Sequence, residues 1–350
     1  MAQKILILGA SYGSLLSTKL LMAGYNVTLV CRRNTADLIN TKGTEVRIKL
    51  KGAETHRSIN SNKLSGKLDA VTPDKVCARN YDLVGLAMQE PQYANHALRT
   101  VLVRIAEERI PCLSIMNMPP LTFLKRISGL DTDQLRPSYT DPSVWDRFDP
   151  QVVTLCSPDP QAFRPPDEPA NILHVGLPTN FKAARFADKN ANQLLKQIED
   201  DIVNIRLDGE DVPVKLRVFD SIFVPLAKWS MLLTGNYRCI TPGDPQSIRD
   251  AVHNDLAKSE AIYDFVNSLA QRLGADAMDV VPFHKYAEAA RGLLKPSSAA
   301  RAVVMGAPFI ERVDLLVKLI AQELNMSNSE IDSIVEIVDR KLGSNDPLSK

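Results

Sequence analysis

The stretch KILILGASYGSLLSTKLLMAGYNVTLVCRR, residues 4–33, decides the fold. Four apolar residues, Ile5 to Leu8, enter a glycine-bearing turn, an amphipathic run from Leu15 to Ala23 follows, and Val27 to Cys31 is apolar again. Strand, turn, helix and strand in that order open a parallel sheet wrapped by helices. The turn Gly9-Ala-Ser-Tyr-Gly13-Ser14 lies where helix N-terminal amides and the helix dipole hold a pyrophosphate. Gly9, Ser11, Tyr12, Gly13 and Ser14 are therefore expected to contact a dinucleotide.

The fit to the pattern GxGxxG has two registers. Without gaps, Ser11 and Ser14 replace the second and third glycines; aligned on the following Ser-Leu-Leu, the loop is one residue short and Gly13 is the third glycine. The same residues also spell GxSxG, which in a hydrolase would make Ser11 a nucleophile on a strained elbow. In that fold several strands precede the elbow, and here eight residues do.

The second strand separates the two readings. It ends in Arg32-Arg33, where enzymes that use NAD place an acid on the ribose 2′-hydroxyl. A guanidinium fork suits a 2′-phosphate, so Arg32 and Arg33 predict NADP(H) as cofactor. The plainer alternative is two solvated charges after a strand.

Outward from this unit the alternation continues through Leu83–Ala87, Tyr93–Ala106 and Cys112–Met116. Prolines crowd the chain from Arg136 to Pro178 and interrupt two strand-like runs, Val152–Leu155 and Ile172–Val175, read as a continuation of the sheet. An amphipathic run, Asn190–Asp201, leads to a strand-like Ile202–Leu207 and a turn at Asp208-Gly209-Glu210. Beyond, the pattern is helical: Val218–Thr234, Gln246–Leu273, Pro282–Leu294, Ala299–Leu324 and Ser329–Leu342, with stops at Asn325 and Gly343. The expected fold class is α/β, with a Rossmann-like dinucleotide-binding domain over residues 1–215 and an all-helical domain for substrate and dimerisation over 216–350. At 350 residues two domains are the starting expectation.

Charge excludes some partners. Forty-two basic against forty-one acidic residues leave no field to gather nucleic acid or anionic lipid. No apolar run approaches the eighteen residues of a membrane span and no signal-peptide pattern is present, so a cytoplasmic location is expected. Five scattered cysteines with no CxxC pair fit reduced thiols, Cys31 and Cys112 filling strands, and five histidines without ligand spacing imply no metal. Apolar faces at Ala302–Met305 and Val313–Val317 would suit a homodimer, internal packing being the simpler reading.

The opening stretch closely resembles the ketopantoate reductase (2-dehydropantoate 2-reductase) family, and pieces of the resemblance recur along the chain. It implies a dinucleotide-binding sheet domain followed by a helical domain, an active site in the cleft between them, and NADPH-dependent reduction of a 2-oxo acid carbonyl, a small-molecule substrate. By the same resemblance Asn117, in Leu113-Ser-Ile-Met-Asn117-Met-Pro-Pro, contacts cofactor and substrate, with Met118 replacing the usual glycine; Lys228 is the catalytic acid; Asn236 holds substrate while Leu232 stands in place of a further asparagine; and Ser298, in Lys295-Pro-Ser297-Ser298, hydrogen-bonds substrate. Lys295 departs from an asparagine, Glu311 matches an acid that orients the substrate hydroxyl, with Arg312 and Asp314 leaving its register open, and Gln89 replaces a lysine near the cofactor.

The residues agree with that chemistry. Hydride arriving at a carbonyl carbon builds charge on oxygen, and a partly desolvated ammonium both stabilises it and delivers the proton. Two other readings stay open: an opine-type dehydrogenase, which would use a histidine although His253 and His284 match poorly, and a non-catalytic NADP(H)-binding sensor or interaction protein.

Overall fold

A computed structural model of the chain describes residues 3–50 and 53–346. It divides into two compact units: unit 1 comprises residues 1–88, 92–123 and 143–222, and unit 2 comprises 89–91, 124–142 and 223–350.

Every strand among the described residues belongs to unit 1: β1 (Lys4–Leu8), β2 (Asn26–Val30), β3 (Glu45–Ile48), β4 (Arg57–Asn60), β5 (Leu68–Val71), β6 (Leu83–Leu86), β7 (Cys112–Ile115), β8 (Val153–Ser157), β9 (Gln161–Phe163), β10 (Ile172–Leu177), β11 (Phe181–Ala184), β12 (Arg206–Leu207), β13 (Glu210–Asp211) and β14 (Leu216–Phe219). Eight of them form one sheet in the order β14-β11-β8-β7-β6-β1-β2-β5. From β8 to β5 every pair is parallel, and β11 turns antiparallel to β8. β6, β7 and β8 are buried at every position, because helices cover both faces of a parallel sheet and leave no polar side to alternate with. The chain moves from β1 outward to β2 and β5, then returns to β6 on the other side. That reversal opens a crevice at the carboxyl ends of β1 and β6, where such sheets bind ligands.

The expected α/β class with a helical C-terminal region is what the chain adopts, with local corrections. Ile202 lies in the last turn of the helix Lys189–Val203 rather than starting a strand; only Arg206–Leu207 is extended, in a short hairpin turned by Asp208 and Gly209, both at positive φ. The run read as a helix from Val218 begins with β14, which pairs with β11. Ile172–Val175 does not extend the large sheet: β10 joins β3, β4 and β9 in a second, four-stranded one. All five cysteines are free thiols.

In unit 2 the run Gln246–Leu273 breaks where the Asp255 side chain caps a new helix, Leu256–Arg272, and the run Ala299–Leu324 breaks at Gly306, φ 85°. Asn325, φ 54°, ends the helix Val313–Glu323 as expected, whereas the last helix runs through Gly343 to Asn345. The Val313–Val317 face packs inside this unit, while Val304 and Met305 stand 65% and 86% exposed. Among the described residues no helix is long and apolar enough to cross a membrane.

Candidate functional site

In unit 1 the turn after β1 is shaped by a carbon that is missing. Gly9 has φ 104°, and a Cβ there would lie 2.6 Å from both the Ala87 carbonyl oxygen and Met88 Cγ. Only glycine lets the turn pass this close to the chain leaving β6. The Gly9 N–H bonds to Val30 O at 3.0 Å, fixing the turn against the end of β2. Gly13 opens the helix Gly13–Met22, and a Cβ on it would meet Ile7 Cγ2 at 2.6 Å, so the helix start also packs on β1. The amides of Ser11, Tyr12 and Gly13 find no acceptor among the described residues, and the first helical turn carries no acidic side chain. Free amides at the positive end of a helix dipole are what a pyrophosphate requires.

The other turn residues divide. Ser11 is exposed. Ser14 is buried and its hydroxyl donates back to the Ala10 carbonyl, while the Tyr12 hydroxyl donates to the Pro160 carbonyl and its ring meets Phe181 edge-on at 5.9 Å. Burial, with Cys156 and Asp159 nearby, holds the Tyr12 phenol well above its ordinary pKa. Arg32 and Arg33 are exposed at the start of the helix that follows β2. Asn117 is half-buried just past β7, beside a fully buried Met118, and Gln89 is exposed shortly after β6. Arg164 also reaches this turn, bonding Ala10 O through Nη2 at 2.7 Å. It falls within the proline-rich stretch, where no motif marks it.

In unit 2 Lys228 starts a short helix, Lys228–Met231, which widens into a π-helical turn over Leu232–Asn236. One α turn takes about 3.6 residues and a π turn roughly one more, so the step from Lys228 to Asn236 closes two turns and sets both on one face. A plain α-helix would leave them about 80° apart. Side chains hold the wide turn open: Tyr286 Oη donates to Met231 O at 3.0 Å, Arg238 Nη1 to Thr234 O at 3.3 Å, Cys239 Sγ to Gly235 O at 3.4 Å, and Ser297 Oγ to Asn236 O at 2.7 Å. Gly235 is required here, since a Cβ would lie 2.0 Å from Tyr286 Oη. Leu232 is buried. Ser297 caps the helix Ser298–Val304 by accepting from the Ala300 N–H at 3.1 Å, which leaves Ser298 as the exposed serine of the pair; Lys295 is exposed as well.

Glu311 precedes the helix Val313–Glu323. Its carbonyl accepts from the Tyr237 hydroxyl, which itself accepts the Val313 N–H at 2.9 Å, so the residue after the π turn pins the Glu311 backbone. Its neighbours are otherwise engaged: Asp314, fully buried, takes a two-pronged Arg312 at 3.0 Å, and Arg312 also reaches Asp339 at 2.7 Å. The Glu311 carboxylate accepts the Glu90 N–H at 3.4 Å. Glu90 is 2% exposed, its carboxylate held by the Thr140 amide at 3.0 Å and hydroxyl at 2.9 Å. Burial raises its pKa to about 7, with Glu311 adding to the rise and the Thr140 bonds opposing it. Sequence reading missed this second carboxyl because Gln-Glu-Pro after a strand looks like an ordinary loop.

No family model matches the sequence, and no curated relative matches it either. Solved structures share its fold over nearly the whole chain. A protein of Ralstonia solanacearum assigned to the ketopantoate reductases superposes with a TM-score of 0.70 at 15% identity, covering 98% of each chain. D-mandelate dehydrogenase, solved with NADH and anilino(oxo)acetate, gives 0.65 at 14% identity, over 98% of this chain and 99% of that one. The 2-dehydropantoate 2-reductase of Methylococcus capsulatus gives 0.65 at 11%, over 97% of each.

Proposed function

We propose that the protein is an NADPH-dependent reductase of a 2-oxo acid or a closely related carbonyl compound, 2-dehydropantoate being one candidate. The observation that carries this reading is the Gly9 turn, with free amides at a helix N-terminus and Arg32 two residues past the end of the next strand. The solved structures of like fold support it: several are named 2-dehydropantoate 2-reductases, and D-mandelate dehydrogenase holds NADH together with an oxo acid analogue.

In this reading Ser11, Tyr12 and Gly13 hold the pyrophosphate through their amides, Arg32 and Arg33 the ribose phosphate, and Gln89 and Asn117 the nicotinamide side. The cofactor supplies hydride to the carbonyl carbon. Lys228 donates its Nζ proton to the carbonyl oxygen and stabilises the charge that gathers there. Asn236, on the same face as Lys228, and Ser298 hold the substrate's polar groups, and Glu311 orients a substrate hydroxyl. Burying Leu232 in place of a polar residue removes one hydrogen bond from that set, which favours a substrate with fewer hydroxyls.

Consumption of NADPH across a panel of 2-oxo acids and lactones, with NADH in parallel, tests the reading. Turnover of at least one 2-oxo acid with NADPH preferred is expected. Tight NADPH binding with no turnover of any carbonyl would replace the reductase by a dinucleotide sensor.

A further inference from the structure

Part of the proline-rich stretch reaches the dinucleotide turn twice. The Tyr12 hydroxyl is tied to Pro160, and Arg164, which leaves the edge strand β9, is tied to Ala10. Gly9, next to Ala10, is itself bonded to Val30, two residues before Arg32. Two guanidiniums from distant parts of the sequence thus converge on the carboxyl end of β2.

Arg164 is half-buried, and its one hydrogen bond among the described residues uses one of the five N–H donors a guanidinium carries. Among the described residues no carboxylate acts on it: burial and the like charge of Arg32 both lower its pKa, and the opposing influence is the Cys31 thiol. That thiol, pushed up to about 11 by burial, feels both guanidiniums. Holding two like charges together raises the free energy of the unliganded protein, and a dianion placed between them relieves it.

We propose that Arg164 is a second ligand of the cofactor's 2′-phosphate, forming with Arg32 a two-guanidinium clamp that sets the preference for NADPH over NADH. The proposal rests on the reading that unit 1 binds a dinucleotide. Arg164 braces the turn through Ala10 O with one N–H and offers the rest of its planar fork to phosphate oxygens, which a lysine ammonium cannot do in two-pronged fashion.

The test is equilibrium binding of NADPH, NADH, 2′,5′-ADP and 5′-AMP to wild type, Arg164→Met, Arg164→Lys and Arg32→Ala by titration calorimetry. Arg164→Met is expected to weaken NADPH and 2′,5′-ADP by roughly ten- to hundredfold while changing NADH and 5′-AMP less than about threefold. Arg164→Lys, which keeps the charge and a donor for Ala10, should fall between and serves if the methionine variant misfolds. Equal losses for NADH and NADPH would reduce Arg164 to a brace of the turn, and unchanged NADPH affinity would remove it from the site; either result overturns the clamp and leaves the dinucleotide reading standing. If wild type binds neither NADPH nor NADH, the reading beneath it fails instead.

Discussion

Lys19 sits in the middle of the helix Gly13–Met22 at 1% exposure, with its Nζ donating to the Pro213 carbonyl at 2.5 Å. Burial, aided by the nearby Lys215 charge, lowers its pKa from 10.5 to about 7. The unfolded chain therefore binds more protons than the folded one between pH 7 and 10.5, and stability must rise with pH across that window. Each pKa unit is worth about 1.4 kcal/mol, so near pH 7 the buried ammonium costs unit 1 about 4 kcal/mol relative to high pH. Lys19→Met keeps the packing volume and removes this cost, but leaves Pro213 O without its donor, a loss of about 1–3 kcal/mol. A net gain of about 1–3 kcal/mol is expected at pH 7, shrinking to zero or below at pH 10. Urea unfolding read by Trp145, which lies in unit 1, in a Trp229→Phe background measures this directly. A variant no more stable than its parent at pH 7, or one whose advantage is equal at both pH values, would refute the reasoning.

Four further outcomes are expected. Glu90, raised from 4.5 to about 7, keeps its proton longer when folded, so its contribution to stability is lost as pH rises through that range; Glu90→Gln should stabilise unit 2 by about 1–3 kcal/mol at pH 8 and by nothing at pH 4, read as urea midpoints. Gly235→Ala, driving a methyl toward Tyr286 Oη, should cost about 2 kcal/mol or more and lower the melting temperature. Lys228→Ala should lower turnover roughly hundredfold or more while NADPH affinity stays within about threefold, and unchanged turnover would eliminate the lysine as proton donor. Leu294, Val304, Met305 and Phe309 expose apolar surface on unit 2, so a homodimer is expected by light scattering, with Met305→Glu and Phe309→Glu shifting it to monomer; identical masses for all three would place the dimer elsewhere or exclude it.

The candidate site was legible in the sequence where its geometry depends on local backbone. The turn at Gly9 follows from residues adjacent in the chain, since a glycine between a buried strand and a helix has few other uses, and the place of Arg32 just past β2 follows from the apolar run before it. The alternation of short apolar and amphipathic runs likewise carried the α/β class, because a parallel sheet needs covering helices in order along the chain. Helix breaks in unit 2 were less visible: the Asp255 cap lies inside one continuous apolar period, and a helical period persists across a break of two residues.

What lay beyond the sequence was every pairing of distant parts. Arg164 reads as one more charge among prolines, and only the fold carries it to Ala10. Glu90 gains its raised pKa from burial and the nearby Glu311 charge, against the Thr140 bonds, and Lys19 its lowered one from a helix buried on nearly all sides. The π turn that aligns Lys228 with Asn236 depends on donors from Tyr286 and Ser297, far along the chain. Periodicity records which face of an element meets a core; it does not record which partner waits there, and charge, protonation and side-chain aim are decided by that partner.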